Sequence, residues 1–452
     1  MSKVVKFGGS SLASAEQFKK VGNIIRADRE RKYVVPSAPG KRFSNDTKVT
    51  DMLYACYDLA DQGKSFKAEL DAIKARYQEI IDGLQLDLDL SEEFGTIEKN
   101  FKAKSGNNYA ASRGEYLNGI IMANYLGYDF IDAATVIFFD ENGEFDAAKT
   151  NEVLRARLAE SKEAVVPGFY GSMPDGTVKT FSRGGSDITG SIVAKAAKAD
   201  VYENWTDVSG FLIADPRIID HPEAIETITY RELRELAYMG ATVLHEDAIF
   251  PVRQEGIPIN IRNTNAPEDN GTWIVGSTCQ KSKYVITGIA GKKGFCSVNI
   301  EKDMMNSEIG FGRKVLQAFE ENGISFEHVP SGIDTMTVFV HQDEFMHKEQ
   351  KVVAGIHRLA NPDMIDIESD LALIAVVGRG MKSTRGTEGV GHGMYRTRGV
   401  AARIFAALAH ARVNVKMIDQ GSSELNIIIG VANEDFETAI KAIYDIFVIT
   451  RL

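Results

Sequence analysis

The chain has 452 residues, 44% apolar and 25% charged, with 52 basic against 63 acidic side chains and a formal net charge of −11. That length predicts two to four domains with ample cores, and the acidic balance excludes non-specific nucleic-acid binding while allowing a nucleotide in a local cationic pocket. Cys56, Cys279 and Cys296 are odd in number and far apart, and no apolar run reaches the roughly 18 residues of a membrane span, so neither a disulfide framework, a metal site nor a membrane partner is expected. Residues 3–6 form a short apolar strand running into Gly8-Gly9-Ser10-Ser11, with Lys6 beside the turn. An immediate strand leaves no room for a signal peptide, so a cytoplasmic location is expected. A helix follows from Ser14: Ser14 and Gln17 make a capping box, and Phe18, Val21 and Ile25 share one face. Strand, glycine turn and helix read as a phosphate site, since exposed N–H groups and a compact cation suit phosphate oxygens. The turn matches neither the P-loop nor the dinucleotide pattern, and alone it is equally a plain connection.

Further along, residues 33–38 read as a second strand, and residues 59–104 as a charged helical insertion. Residues 112–126 read as an apolar helix that opens Ser112-Arg113-Gly114-Glu115; a carboxylate there suits a helix N-terminus. Strands are expected at 129–131, 164–167, 200–205 and 257–261, and helices at 188–199 and 230–239. Strand and helix in alternation predict a parallel α/β sheet. Residues 263–278 are polar and turn-rich and read as a linker. Beyond them two β-α-β-β patterns are expected: 295–301, 310–321, 324–329 and 336–340, then 371–377, 399–410, 413–420 and 426–431. Residues 377–386 recur at 390–399 with 7 of 10 identities, a duplicated glycine-rich loop.

Polar residues stand where a buried sheet should be apolar. Phe181-Ser182-Arg183-Gly184-Gly185-Ser186-Asp187 joins a cation, two glycines and a carboxylate ahead of an alanine-rich helix. Trp205-Thr206-Asp207-Val208-Ser209-Gly210, followed by Asp215-Pro216-Arg217, is a strand entering a polar loop, where α/β sheets bind ligands. The first is also readable as a tight turn with an Asp cap.

Taken together and in order, the Lys6, Arg113-Gly114-Glu115, Phe181–Asp187 and Trp205–Asp207 segments and Met239-Gly-Ala-Thr-Val-Leu-His245 resemble the aspartate kinases of the amino acid kinase superfamily. The two C-terminal patterns resemble ACT domains, notably at Pro330-Ser-Gly-Ile-Asp334 and Ile418-Asp-Gln-Gly-Ser-Ser-Glu424. The resemblance implies a three-layer α/β kinase domain with a mainly parallel sheet over 1–282, and two ferredoxin-like α+β modules. The first module would span 295–365. The second would comprise 283–294 and 366–452, interleaved with the first, with a strand at 284–290.

The implied reaction moves the γ-phosphoryl of ATP to the β-carboxylate of L-aspartate, the first step towards lysine, threonine and methionine. Lys6 and Asp187 would be catalytic. Ser37, Thr50, Glu115, Arg183 and Ser186 would hold aspartate, with Arg183 on its α-carboxylate and Glu115 on its ammonium. Lys6, Gly8, Gly9, Ser10, Thr206, Asp207 and Arg217 would hold ATP, and Mg2+ would arrive on the nucleotide. Lysine or threonine would bind the ACT region through Met304, Ser307, Gly310, Phe311 and Glu327, in a homo-oligomer built through these modules. Two positions depart from the family pattern: Thr242 replaces a lysine and Leu212 a tyrosine near the nucleotide. Kinases of N-acetylglutamate, glutamate or carbamate, and a non-catalytic amino-acid sensor, are the competing readings; Arg183 with Glu115, and Lys6 with Asp187, argue against them.

Overall fold

The computed structural model describes residues 1–182, 184–241, 244, 248–278, 283–379 and 399–450. They divide into two compact units. The first comprises residues 1–211, 224–230 and 243–279, and the second 212–223, 231–242 and 280–452.

The first unit carries an eight-stranded sheet. In chain order its elements are β1 (Lys3–Phe7), α1 (Ala15–Arg26), β2 (Arg31–Pro36), α2 (Val49–Asp61), α3 (Lys67–Leu84), α4 (Ser91–Lys102), α5 (Asn107–Leu126), β3 (Asp129–Phe130) and α6 (Ala147–Glu160). There follow β4 (Ala164–Val165), the hairpin β5 (Tyr170–Ser172) and β6 (Val178–Thr180), α7 (Gly185–Ala196), β7 (Val201–Thr206) and β8 (Thr227–Thr229). Helix α8 (Tyr230–Tyr238) falls, apart from Tyr230, in the second unit, and α9 (Phe250–Glu255), β9 (Ile259–Asn263) and β10 (Thr272–Val275) close the first. The strand order is β3-β4-β2-β1-β7-β9-β10-β8, and every pairing is parallel except β9 with β10. Val4 and Val5 are successive and so point to opposite faces, yet both have zero exposure. Helices therefore cover both faces, which is the three-layer arrangement.

The insertion is part of this core. Leu70, Ile73, Tyr77, Ile80 and Phe94 pack in one cluster with Val5, Phe7 and Val34 of the sheet. Three expectations are corrected. Helix α5 starts at Asn107, not Ser112, because Gly106 (φ 94°) turns the chain there; Glu115 is therefore interior and gains nothing from the helix N-terminus. The expected linker contains β10, whose Thr272 and Ile274 are fully buried despite polar neighbours. The Ser14 hydroxyl does accept from Gln17 N (3.4 Å), but Gln17 Oε1 has no donor among the described residues, so the reciprocal half of the box is absent.

In the second unit one antiparallel sheet runs β12-β13-β11-β14-β16-β15. Its elements are β11 (Gly288–Glu301), α10 (Phe311–Glu320), β12 (Phe326–His328), β13 (Thr335–His341), α11 (Gln342–Met346), α12 (Glu349–Ala360), β14 (Met364–Val377), α13 (Val400–His410), β15 (Met417–Asp419), β16 (Asn426–Ala432) and α14 (Phe436–Tyr444). Strands β11 and β14 have 14 residues each and pair along their whole length. Strand β13 adds to one half of this ribbon and β16 to the other. The ribbon runs unbroken through 294/295 and 365/366, bent by a bulge around Gly294 (φ 90°). Residues 284–287, expected in a strand, precede it. The duplicated loop at 377–399 lies mostly outside the described residues.

Candidate active site

Strands β2, β1 and β7 are parallel neighbours, so their C-terminal ends lie on one edge of the sheet. From that edge emerge Gly8–Ser11, Ser37–Gly40 and Thr206–Asp207, the position at which open α/β sheets bind ligands. Lys6, 7% exposed, lies one residue before the end of β1. Its Nζ is 2.6 Å from Asp187 Oδ1 and 3.4 Å from Asn204 Oδ1. Asn204 is the residue paired with Lys6 across β1 and β7, and its Nδ2 donates to the same Asp187 oxygen at 2.8 Å. Tyr202 OH donates to the Asp187 carbonyl at 3.1 Å. Asp187 sits in the first turn of α7, where a carboxylate is favoured. The ammonium is thus held by Asp187 and Asn204, with Tyr202 fixing the Asp187 backbone, and is pre-aimed at the turn: it lies 3.5 Å from where a Gly8 side chain would begin.

The glycine turn faces the loop after β2 at backbone contact. Gly40 N donates to Gly9 O at 2.8 Å, and a Cβ on Gly9 would lie 2.9 Å from Ala38 O. Gly8 N is used, donating to Trp205 O at 3.0 Å. The amides of Gly9 and Ser10 open a short turn (Gly9–Leu12) and find no acceptor among the described residues. Opposite, Ser186 rests on Gly168: a Cβ there would meet Ser186 Oγ at 2.6 Å. The adjoining Phe169 holds φ 82°, a left-handed conformation rare for a bulky residue, and its N–H donates to Thr189 Oγ1 at 3.0 Å.

Glu115 projects from the interior of α5 and is 6% exposed. Gly114 lets that helix approach: a Cβ there would lie 2.8 Å from Ala38 Cβ and 3.8 Å from Thr50 Oγ1. Burial pushes the Glu115 carboxyl up to about 8, against opposing hydrogen bonds from Ala38 N–H and its own amide and the Arg113 charge. Its Oε2 is buried without a donor. One turn on, Asn118 donates to Ser37 O at 2.6 Å, while its own Oδ1 is also unpartnered. Two orphan acceptors beside Ser37 and Ala38 suit a ligand bearing several N–H donors. Arg113 points elsewhere. Its guanidinium sits over the rings of Tyr109, Tyr116 and Tyr170 at 4.7, 4.4 and 5.3 Å.

Of the other expected residues, Thr206 follows Trp205 at the end of β7, with its Oγ1 3.2 Å from Asp207 Oδ1. Arg217 is in the second unit, forked onto Asp215. Arg183 and Thr242 lie outside the described residues. Asn204, Asn118, Gly168 and Phe169 were not anticipated. Asn204 had a usable signal, a carboxamide in the middle of an otherwise buried strand.

In the second unit, Met304 (φ 59°), Ser307 and Gly310 (φ 81°) lie in the connection from β11 to α10, and Phe311 opens α10. Phe311 is buried and Met304 is 71% exposed. Glu327 stands on β12, with β13 between it and β11, and accepts from Tyr238 OH at 2.6 Å and pairs with His341 Nε2 at 3.3 Å.

A sheet edge that presents a held lysine, free turn amides and a buried carboxylate fits a phosphotransferase acting on a small acid that carries an ammonium group. The amino acid kinase family model matches residues 1–263, and an ACT domain model matches 390–447. Clostridium acetobutylicum aspartate kinase is 50% identical, with a TM-score of 0.88 over 98% of this chain and 99% of that one. Aspartokinase 3 of Bacillus subtilis (strain 168) is 40% identical, over 98% of both chains. E. coli aspartokinase III shares the fold, with a TM-score of 0.71 for its complex with aspartate and ADP (R-state) at 23% identity and 0.71 for its complex with lysine and aspartate (T-state) at 24%. These cover 99% and 98% of this chain, and 99% of each of those chains. The chain belongs to the amino acid kinase family and, within it, to the aspartokinases.

Proposed function

We infer that the protein transfers the γ-phosphoryl group of MgATP to the β-carboxylate of L-aspartate, releasing ADP and 4-phospho-L-aspartate. A carboxylate oxygen forms the new bond to phosphorus as the bond to the ADP oxygen breaks. The nucleophile, with a pKa of about 3.9, is already ionised at neutral pH, so no general base is required. The demand is for alignment of two anions and neutralisation of the charge between them.

The observation that carries the reading is the Lys6–Asp187–Asn204 assembly at the mouth of the glycine turn. In it Asp187 and Asn204 orient Lys6, and Lys6 with the Gly9 and Ser10 amides meets the transferring phosphoryl. Fixed donors cost no reorganisation when charge moves. Gly8 shapes this approach, and Thr206 and Asp207 are assigned to the nucleotide. Aspartate lies across Ser37, Thr50 and Ser186, with its ammonium on Glu115 and its α-carboxylate on Arg183, where a guanidinium fork fits. Mg2+ enters as part of the nucleotide substrate. The turn from Met304 to Phe311, with Glu327, is assigned to a lysine or threonine effector, and pairing of the ACT modules to a homo-oligomer. Steady-state kinetics of purified protein, measured as aspartate-dependent ADP release with and without these amino acids, test the reading.

A further inference from the structure

Helix α3 of the insertion turns two buried side chains, Arg76 and Tyr77, towards the loops of the site. Arg76, with a side chain only 3% exposed, puts Nη2 on two backbone oxygens, Gly40 O at 2.8 Å and Ala13 O at 3.2 Å. Its Nη1 meets Asp46 Oδ2 at 2.6 Å. One turn on, Glu79 takes Arg42 at 2.8 Å, and Arg42 itself forks onto Asp46 at 2.9 and 3.1 Å. Between them, Tyr77 OH donates to Gly114 O at 2.8 Å, the carbonyl preceding Glu115.

We propose that Arg76 is a positioning residue for phosphoryl transfer: by gripping the carbonyls of Gly40 and Ala13 it fixes the glycine turn against the loop after β2. Ala13 ends the short turn that Gly9 begins, and Gly40 is bonded to Gly9 O. The guanidinium therefore braces both ends of the segment whose amides face the phosphoryl group. Clearance there is small, since a Cβ on Gly40 would come within 2.6 Å of Gly9 C, so the two backbones have one close-packed arrangement. A planar fork can serve two carbonyls and a carboxylate at once; an ammonium is a point charge on a flexible stem and cannot hold that geometry. The insertion is then a working part of the site rather than an appendage. This inference rests on the proposed phosphotransfer.

The test compares Arg76→Gln, Arg76→Lys and Asp46→Asn in the full-length protein, with kcat, both KM values and melting temperature as readouts. Asp46→Asn removes the ion pair but leaves both carbonyl contacts. Arg76→Gln should lower kcat at least about tenfold with both KM values within about threefold, because misplaced donors lose transition-state contacts. Arg76→Lys should recover the melting temperature but only part of kcat, and Asp46→Asn should keep kcat within about threefold of the parent. Equal kcat losses in Arg76→Gln and Asp46→Asn, or a parental kcat in Arg76→Lys, would overturn the proposal. Should Arg76→Gln not fold, the other two variants decide it. A parent protein that turns over ATP normally beside an unaffected Arg76→Lys sinks this inference alone; a parent without aspartate-dependent turnover sinks the proposed function and this with it.

Discussion

Glu115 gives the most demanding prediction. Its carboxyl is pushed up to about 8 by burial, so the free protein carries it mostly protonated at neutral pH. An ammonium ligand needs the carboxylate. At pH 7 about one-tenth of the molecules are ionised there and at pH 9 about nine-tenths, so apparent aspartate affinity should rise about tenfold between these values. Binding at pH 7 should release about one proton per aspartate. Calorimetry in two buffers of different ionisation enthalpy measures that proton directly, and aspartate KM against pH measures the affinity. Stability follows the same linkage. The folded value lies above the unfolded one of 4.5, so the folded state binds more protons in between. Stability of the free protein therefore declines as pH rises from about 4.5 to about 8. Glu115→Gln should melt above the parent at pH 9, bind aspartate weakly, and lose both pH dependences. A flat KM from pH 6.5 to 8.5 with no proton release would refute the assignment of Glu115 to the ammonium.

Other predictions follow from the same geometry. Lys6→Ala should lower kcat by about a hundredfold or more with the fold intact, as loss of a preorganised charge contact does. Asn204→Leu should cost about tenfold in kcat while leaving Asp187 in place, since it removes one of the groups orienting Lys6; equal kcat would remove Asn204 from the site. Gly168→Ala should raise aspartate KM, because the new methyl displaces Ser186, and circular dichroism should show the fold retained. Ser307→Ala should relieve lysine or threonine inhibition without changing uninhibited kcat, read from inhibition curves; Glu327 is a poorer probe because it also holds Tyr238 and His341.

The parts of this molecule legible from sequence are those whose signal is local. The strand–turn–helix of residues 3–26 has periodic apolar positions and a capping serine, and forms as expected. Lys6 and Asp187, 181 residues apart, were joined by motif order rather than by physics, and the ion pair between them is a fact of the fold. Less local features leave no such signal. Helix α5 begins five residues before the apolar run at Ser112, because a polar Asn-Asn opening hides a helix that tertiary packing sustains. Strand β10 reads as linker in the sequence because its neighbours are polar and turn-rich, and its place in the sheet depends on pairing with β8, over forty residues earlier, as well as with β9. Arg76 is invisible in sequence, being one of three basic residues in a charged helix until the fold turns it inward.

The most direct measurement is detection of the acyl phosphate itself. Purified protein with MgATP and L-aspartate, trapped with hydroxylamine, should yield aspartate β-hydroxamate in step with ADP, and Lys6→Ala should yield about a hundredth as much or less. ADP release that is independent of aspartate, or hydroxamate formed equally well from glutamate or N-acetylglutamate, would contradict the account.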